Sequence, residues 1–114
     1  MNDSEFLRLM NALAEYLERE KIFIKNPARF ADVEAATEIA TELFADAKIS
    51  VKDDPIQMGA LIICIEAFDI VIRGEREIRL FKQLIDKADN FEIYPVGKDS
   101  LRFSMVFNGA LKRI

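Results

Sequence analysis

From Ala60 to Ile65 the chain reads Ala-Leu-Ile-Ile-Cys-Ile, an unbroken apolar run with no polar side chain. Side chains of a strand alternate between its two faces, so a strand here needs both faces covered. A helix is the competing reading. The β-branched density from Met58 to Ile72 (Ile62, Ile63, Ile65, Ile70, Val71, Ile72), together with Gly59, favours the strand. A strand apolar on both sides belongs in the middle of a sheet. Glu66 and Asp69 mark where it bends, bulges or emerges.

The elements around it follow from their periods. Phe6, Met10, Leu13, Ala14 and Leu17 fall on one helical face, with Asp3 or Ser4 as N-cap. After Ile22-Phe23-Ile24, a short extended piece, Asn26 caps a second helix and Pro27 opens it. That helix carries Phe30, Val33, Thr37, Ala40, Leu43 and Phe44 inward. The period changes after Ala47, where Ile49 and Val51 alternate with polar residues before a turn at Asp53-Asp54-Pro55. Gly74 opens a third helix with Ile78, Phe81, Leu84, Ile85 and Ala88 as its buried stripe. Phe91 to Val96 reads as a strand, Gly97 to Ser100 as a turn. Leu101, Phe103, Met105 and Phe107 form the cleanest alternation in the chain. Asn108-Gly109 is a hairpin signal that would fold Ala110–Ile114 back as a short fifth strand, a disordered tail being the alternative.

The expected fold is a single α+β domain over residues 1–114. Two N-terminal helices precede β-β-α-β-β, and a mostly antiparallel sheet packs on the helices in two layers.

Composition removes several function classes. Among 114 residues there is no His, no Trp and one Cys. The usual Cys/His zinc sites and His-based catalytic pairs cannot be assembled. The sequence indicates no cofactor and no metal site. Asp53, Asp54, Asp89 and Asn108 could supply oxygen ligands at one end of the sheet, but these are ordinary turn residues and match no Ca²⁺ loop. Glu66 and Asp69 are candidate general bases, yet neither comes with a recognisable nucleophile, so no enzyme is expected. The Met1–Glu5 start is acidic rather than signal-like, and no run is long enough to span a bilayer. Cys64, without a cysteine partner and set among isoleucines, fits a buried, inert thiol in a cytoplasmic protein.

Charge is uneven. Residues 1–72 hold 7 basic and 14 acidic groups, whereas residues 73–114 hold 9 basic and 6 acidic. Arg73, Arg76, Arg79 and Lys82 recur every third residue, which drifts around a helix, and Glu75 and Asp86 stand four residues from Arg79 and Lys82. An ion-paired helix surface is expected, without nucleic-acid binding. Glu34, Glu38 and Glu42 form an acidic line that could meet a basic neighbour. A small anionic ligand is the runner-up reading, bound by Arg73, Gly74 and Arg76 at the start of the third helix with Lys98 nearby. Glu75 and Glu77 in that first turn oppose it.

The leading expectation is a protein that acts by association with other protein, as a homodimer. If Ile62 and Cys64 point at the helices, then Leu61, Ile63 and Ile65 face away, joined by Tyr94, Val96 and Val106. Such a patch is costly to leave wet, and a two-fold copy covers it. Ile63→Asp would then dissociate the dimer. The competing arrangement places the first helix on that second face.

The charge pattern makes one prediction directly: titration with DNA or RNA at low ionic strength gives no salt-dependent binding. Micromolar affinity that weakens steeply with salt would overturn it.

Overall fold

The structure, a computed structural model, describes residues 3–114. In α1 (Asp3–Arg19) the buried stripe is Leu9, Leu13 and Leu17, with Phe6, Met10 and Tyr16 half-buried beside it. Ala14, expected inward, is exposed. Asp3 and Ser4 lie within the helix rather than capping it, and the position before it is outside the described residues. Ile22–Ile24 forms the short strand β1.

The start of α2 (Pro27–Leu43) is built as its sequence dictates. The Asn26 side-chain oxygen accepts the Arg29 N–H at 3.1 Å, and Pro27 sits in the first turn, where its missing N–H costs nothing. Phe30, Val33, Thr37, Ala40 and Leu43 are buried as the spacing predicts. The Thr37 hydroxyl donates to the Val33 carbonyl at 2.7 Å, which satisfies the buried polar atom.

Leu43 leads straight into β2 (Phe44–Asp53), which starts earlier than the sequence pattern suggests. Ala45, Asp46 and Ala47 are poor strand formers, and here pairing with β3 (Leu61–Ile70) overrides propensity. α3 (Glu75–Lys87), β4 (Asn90–Val96), β5 (Ser100–Asn108) and β6 (Leu111–Arg113) complete the chain. β2, β3, β5 and β4 form one antiparallel sheet in that order, so the apolar strand β3 is interior as expected. β6 is the expected fifth strand with a different partner. Instead of returning along β5 it pairs with β1 in a separate ribbon. The Ala110 carbonyl accepts the N–H groups of Lys25 and Asn26, which draws the chain away from the sheet.

Register fixes the faces. Ile63 stands opposite Phe107, Ile65 opposite Met105 and Ala67 opposite Phe103, so these residues share a face. All are buried in the same core as Leu13, Val33, Leu43 and Leu84 of the helices. Leu61, Ile63 and Ile65 therefore point at the helices, the reverse of the expected phase. Both alternating sets of this strand are apolar, so its pattern alone cannot orient it; pairing with Phe103, Met105 and Phe107 does. Ile63→Asp is consequently a core substitution that unfolds the chain rather than parting a dimer. α1 packs over β2 on the same face, with Leu13 and Tyr16 close to Ile49 and Val51. Two layers result, as expected.

At its far end β3 departs from simple alternation. Asp69 adopts a left-handed backbone (φ 60°), which turns Ile70 and its partner Phe44 toward the core, where Phe44 meets the Phe103 ring at 5.0 Å.

Arg29 ties the ends of these elements together. From the first turn of α2 its guanidinium donates to the Lys87 carbonyl at 2.8 Å and the Asn108 carbonyl at 3.1 Å. It also pairs with the carboxylates of Asp32 and Asp89 and lies over the Phe107 ring. Asp89 in turn accepts the Asn108 N–H at 2.6 Å. Replacing Arg29 with Met should lower unfolding free energy by about 2 kcal/mol, since hydrogen bonds to charged groups are lost and the carbonyls keep no donor. Urea denaturation measures this as a lower midpoint at unchanged slope. A loss of only a few tenths would mean that the clasp carries little.

Candidate functional site

The helices do not cover the whole sheet. α2 lies against β3, and α3 packs beside α2 with only Leu84 fully buried. Phe81 sits between the last two strands, its ring 5.7 Å from Phe91 on β4 and 6.0 Å from Phe103 on β5. One turn to either side of Phe81, Ile78 and Ile85 are exposed, although the helical period places them in the buried stripe. Among the described residues no further helix lies beyond α3 to bury them. Ile93 and Leu101, on the helix-facing side of the sheet, are 51% and 46% exposed for the same reason. Across β4, Tyr94 and Val96 are also exposed. The result is a band of apolar side chains around a sheet edge: Ile78, Ile85, Ile93, Leu101, Tyr94 and Val96.

Of the six residues expected at an interface, Tyr94 and Val96 lie in this band. Val106 is half-buried on the open face of the sheet, and Leu61, Ile63 and Ile65 are in the core. The patterns of α3, β4 and β5 could have revealed Ile78, Ile93 and Leu101 only with knowledge that β4 is an edge.

The open face is not the apolar plane that the sequence suggested. Register brings Ser50, Lys48 and Lys52 of β2 beside Cys64, Glu66 and Ile62 of β3, followed by Val106, Ser104 and Asn108 of β5, while Arg102 stands opposite Phe68. Glu66 lies 3.7 Å from the Lys52 ammonium and 3.8 Å from the Arg102 guanidinium, which rests 4.8 Å above the Tyr94 ring. Ile62 and Cys64 are buried, and Ile62 borders a cleft with Asp54, Ile56, Val106 and Asn108. Glu66 is thus engaged in cross-strand ion pairs, and Asp69 accepts the Ser100 hydroxyl at 3.3 Å.

The anion-binding residues are only partly brought together. Arg73 and Arg76 line a cleft of about 310 Å³ with Glu42 and Glu77, while Gly74 and Lys98 do not line it. The Arg76 guanidinium is bound by Glu42 and flanked by Glu77, whose carboxylate also accepts the Arg73 N–H at 3.0 Å. The hydrogen bond that its guanidinium donates to the Glu42 carboxylate holds Arg76 above its usual pKa range. Protein carboxylates therefore fill the place of an incoming anion. Glu42, the last residue of the acidic line on α2, finds its basic neighbour within its own chain.

At the opposite end Asp54, Asp89 and Asn108 border one cleft, as the connectivity predicts. Each already has a structural task. Asp54 accepts the N–H groups of Ile56 and Gln57, Asp89 accepts Arg29 and the Asn108 N–H, and Asp53 turns away to Arg113. Among the described residues there is no metal-binding cluster and no helix long and apolar enough to cross a membrane.

Comparison with protein-family models, curated proteins and solved structures finds no match.

Cys64 is buried, and that burial raises its pKa; Lys52 opposes the shift and Glu66 adds to it. A raised thiol pKa means that the folded state keeps its proton longer, so stability falls as pH climbs above the ordinary thiol range. Thiol reagents at neutral pH should label Cys64 fast in denaturant and at least 100-fold more slowly in the native state. Rapid native labelling would show an accessible, reactive thiol.

Proposed function

We propose that this protein acts by association with a second copy of itself through the α3–β4 edge. The observation that carries this reading is the apolar band of Ile78, Ile93, Leu101, Tyr94 and Val96 beside a strand with one hydrogen-bonded neighbour. Exposed apolar side chains scattered singly are ordinary; several grouped around an edge strand are not. Burying it against its own copy removes two patches from water at once, which is why a two-fold arrangement suits it. No catalytic role forms part of this proposal. The buried free thiol supports a reducing, cytoplasmic setting.

Sedimentation at micromolar concentration should give twice the 13.1 kDa chain mass. Leu101→Asp should shift the protein to monomer, with a dissociation constant raised at least 100-fold. Its unfolding midpoint in the monomeric range should change little, because the site is half exposed. A wild-type monomer at every concentration would overturn the reading.

A further inference from the structure

We propose that the second copy extends the sheet itself: β4 pairs antiparallel with β4 of the second copy about a two-fold axis at Ile93. One continuous sheet results, with the helices of both copies on one face. This rests on the association reading above and specifies its mode.

Of the two edges left by the order β2-β3-β5-β4, only one is open to such pairing. β2 carries Asp46, Lys48, Lys52 and Asp53 along its length, the kind of charged edge that resists strand addition. β4, Asn-Phe-Glu-Ile-Tyr-Pro-Val, has a single charge at Glu92 and no lysine. Its helix side, Phe91, Ile93 and Pro95, is apolar, and its other side carries the exposed Tyr94 and Val96 beside Asn90 and Glu92.

The phase is then determined. Placing Ile93 opposite itself sets Phe91 against Pro95, Glu92 against Tyr94, and Asn90 against Val96. Helix-facing residues stay on the helix face in both copies, and no like charges stand opposed; a one-residue slip would mix the faces. Pro95 has no N–H to donate and ends the ladder there. Because each copy uses its β4 and the sheet then retains only its charged β2 edges, the sheet grows no further.

The helices fit the same axis. Phe81 is nearly equidistant from Phe91 and Phe103, so α3 overlies the line between β4 and β5. At a strand spacing of about 4.8 Å, that line lies about 4.8 Å from a two-fold axis just outside β4. The two α3 helices then come about 10 Å apart, within the range of packed helices. Along the axis, Ile78 stands about 4.5 Å from Phe81, three residues at about 1.5 Å each. The connection from α3 to β4 reverses the chain, so this displacement carries Ile78 toward the level of Ile93. The two Ile78 side chains meet near the axis, and Glu75 of each copy comes level with Lys82 of the other. The surface thus matches itself in phase, and Glu75, paired with Arg79 in its own helix, gains Lys82 of the other copy as a further cationic neighbour.

Ile93→Cys tests the axis. Residues opposed across an antiparallel pair have Cα atoms about 4.5–5.5 Å apart, within disulfide reach. Mild oxidation should convert most of this variant to a covalent dimer, whereas Lys98→Cys, in the β4–β5 turn, should remain monomeric on a non-reducing gel. On the unaltered chain, amide hydrogen exchange at Phe91 to Tyr94 should slow at least tenfold on raising the concentration through the dissociation constant. A dimer by sedimentation with neither cross-linking nor concentration-dependent protection would overturn strand pairing while leaving the association reading intact. A wild-type monomer at all concentrations would overturn both.

Discussion

The structure depends on a cation in an unfavourable place. Arg29 sits in the first turn of α2, where the helix dipole disfavours positive charge and where that helix has no acidic residue of its own. Its cost is offset by what it reaches. The guanidinium, only 17% exposed, binds the last turn of α3, the end of β5 and the carboxylates of Asp32 and Asp89. Five rigid donors in one plane suit this task as a lysine would not. The clasp fixes the ends of elements that are far apart in sequence. It also holds the turn after β5, so that Ala110 can receive Lys25 and Asn26 and deliver β6 to β1.

With the chain ends tied, the core fills in around β3. Ile63 and Ile65 pack with Phe103, Met105 and Phe107 under α2, and α1 closes the β2 side through Leu9, Leu13 and Leu17. The aromatic group of Phe44, Phe81, Phe91 and Phe103 finishes the other side, where offset and edge-on ring contacts replace aliphatic packing. Packing thins outward from this point. Leu84 is fully buried, Phe81 and Phe91 half-buried, and Ile78, Ile85 and Ile93 open to solvent. The gradient has a simple cause: three helices pack side by side on the sheet, and nothing lies beyond the third. The polar face opposite the helices achieves a different balance. There Glu66 is ion-paired with Lys52 and Arg102, Arg102 rests on the Tyr94 ring, and Ile62 and Cys64 are buried. The surplus of apolar surface that the composition implies is therefore concentrated at the β4 edge rather than spread over the open face.

The sequence by itself determined which segments form helices and strands wherever one period dominates. Asn26-Pro27 started α2, the alternation from Leu101 to Phe107 made β5, and the doubly apolar run placed β3 inside a sheet. It also determined that Cys64 is buried and that Asp54 serves a turn. Only tertiary structure decided the orientation of β3, because a strand with two apolar faces carries no phase of its own and takes it from Phe103, Met105 and Phe107. The partner of β6 likewise followed from Arg29 and the Ala110 carbonyl, neither of which leaves a local pattern. The exposed band was also beyond a local reading: Ile78 and Ile85 have the spacing of a buried stripe. Periodicity states which side of a helix is apolar, whereas burial depends on whether another element exists to cover it.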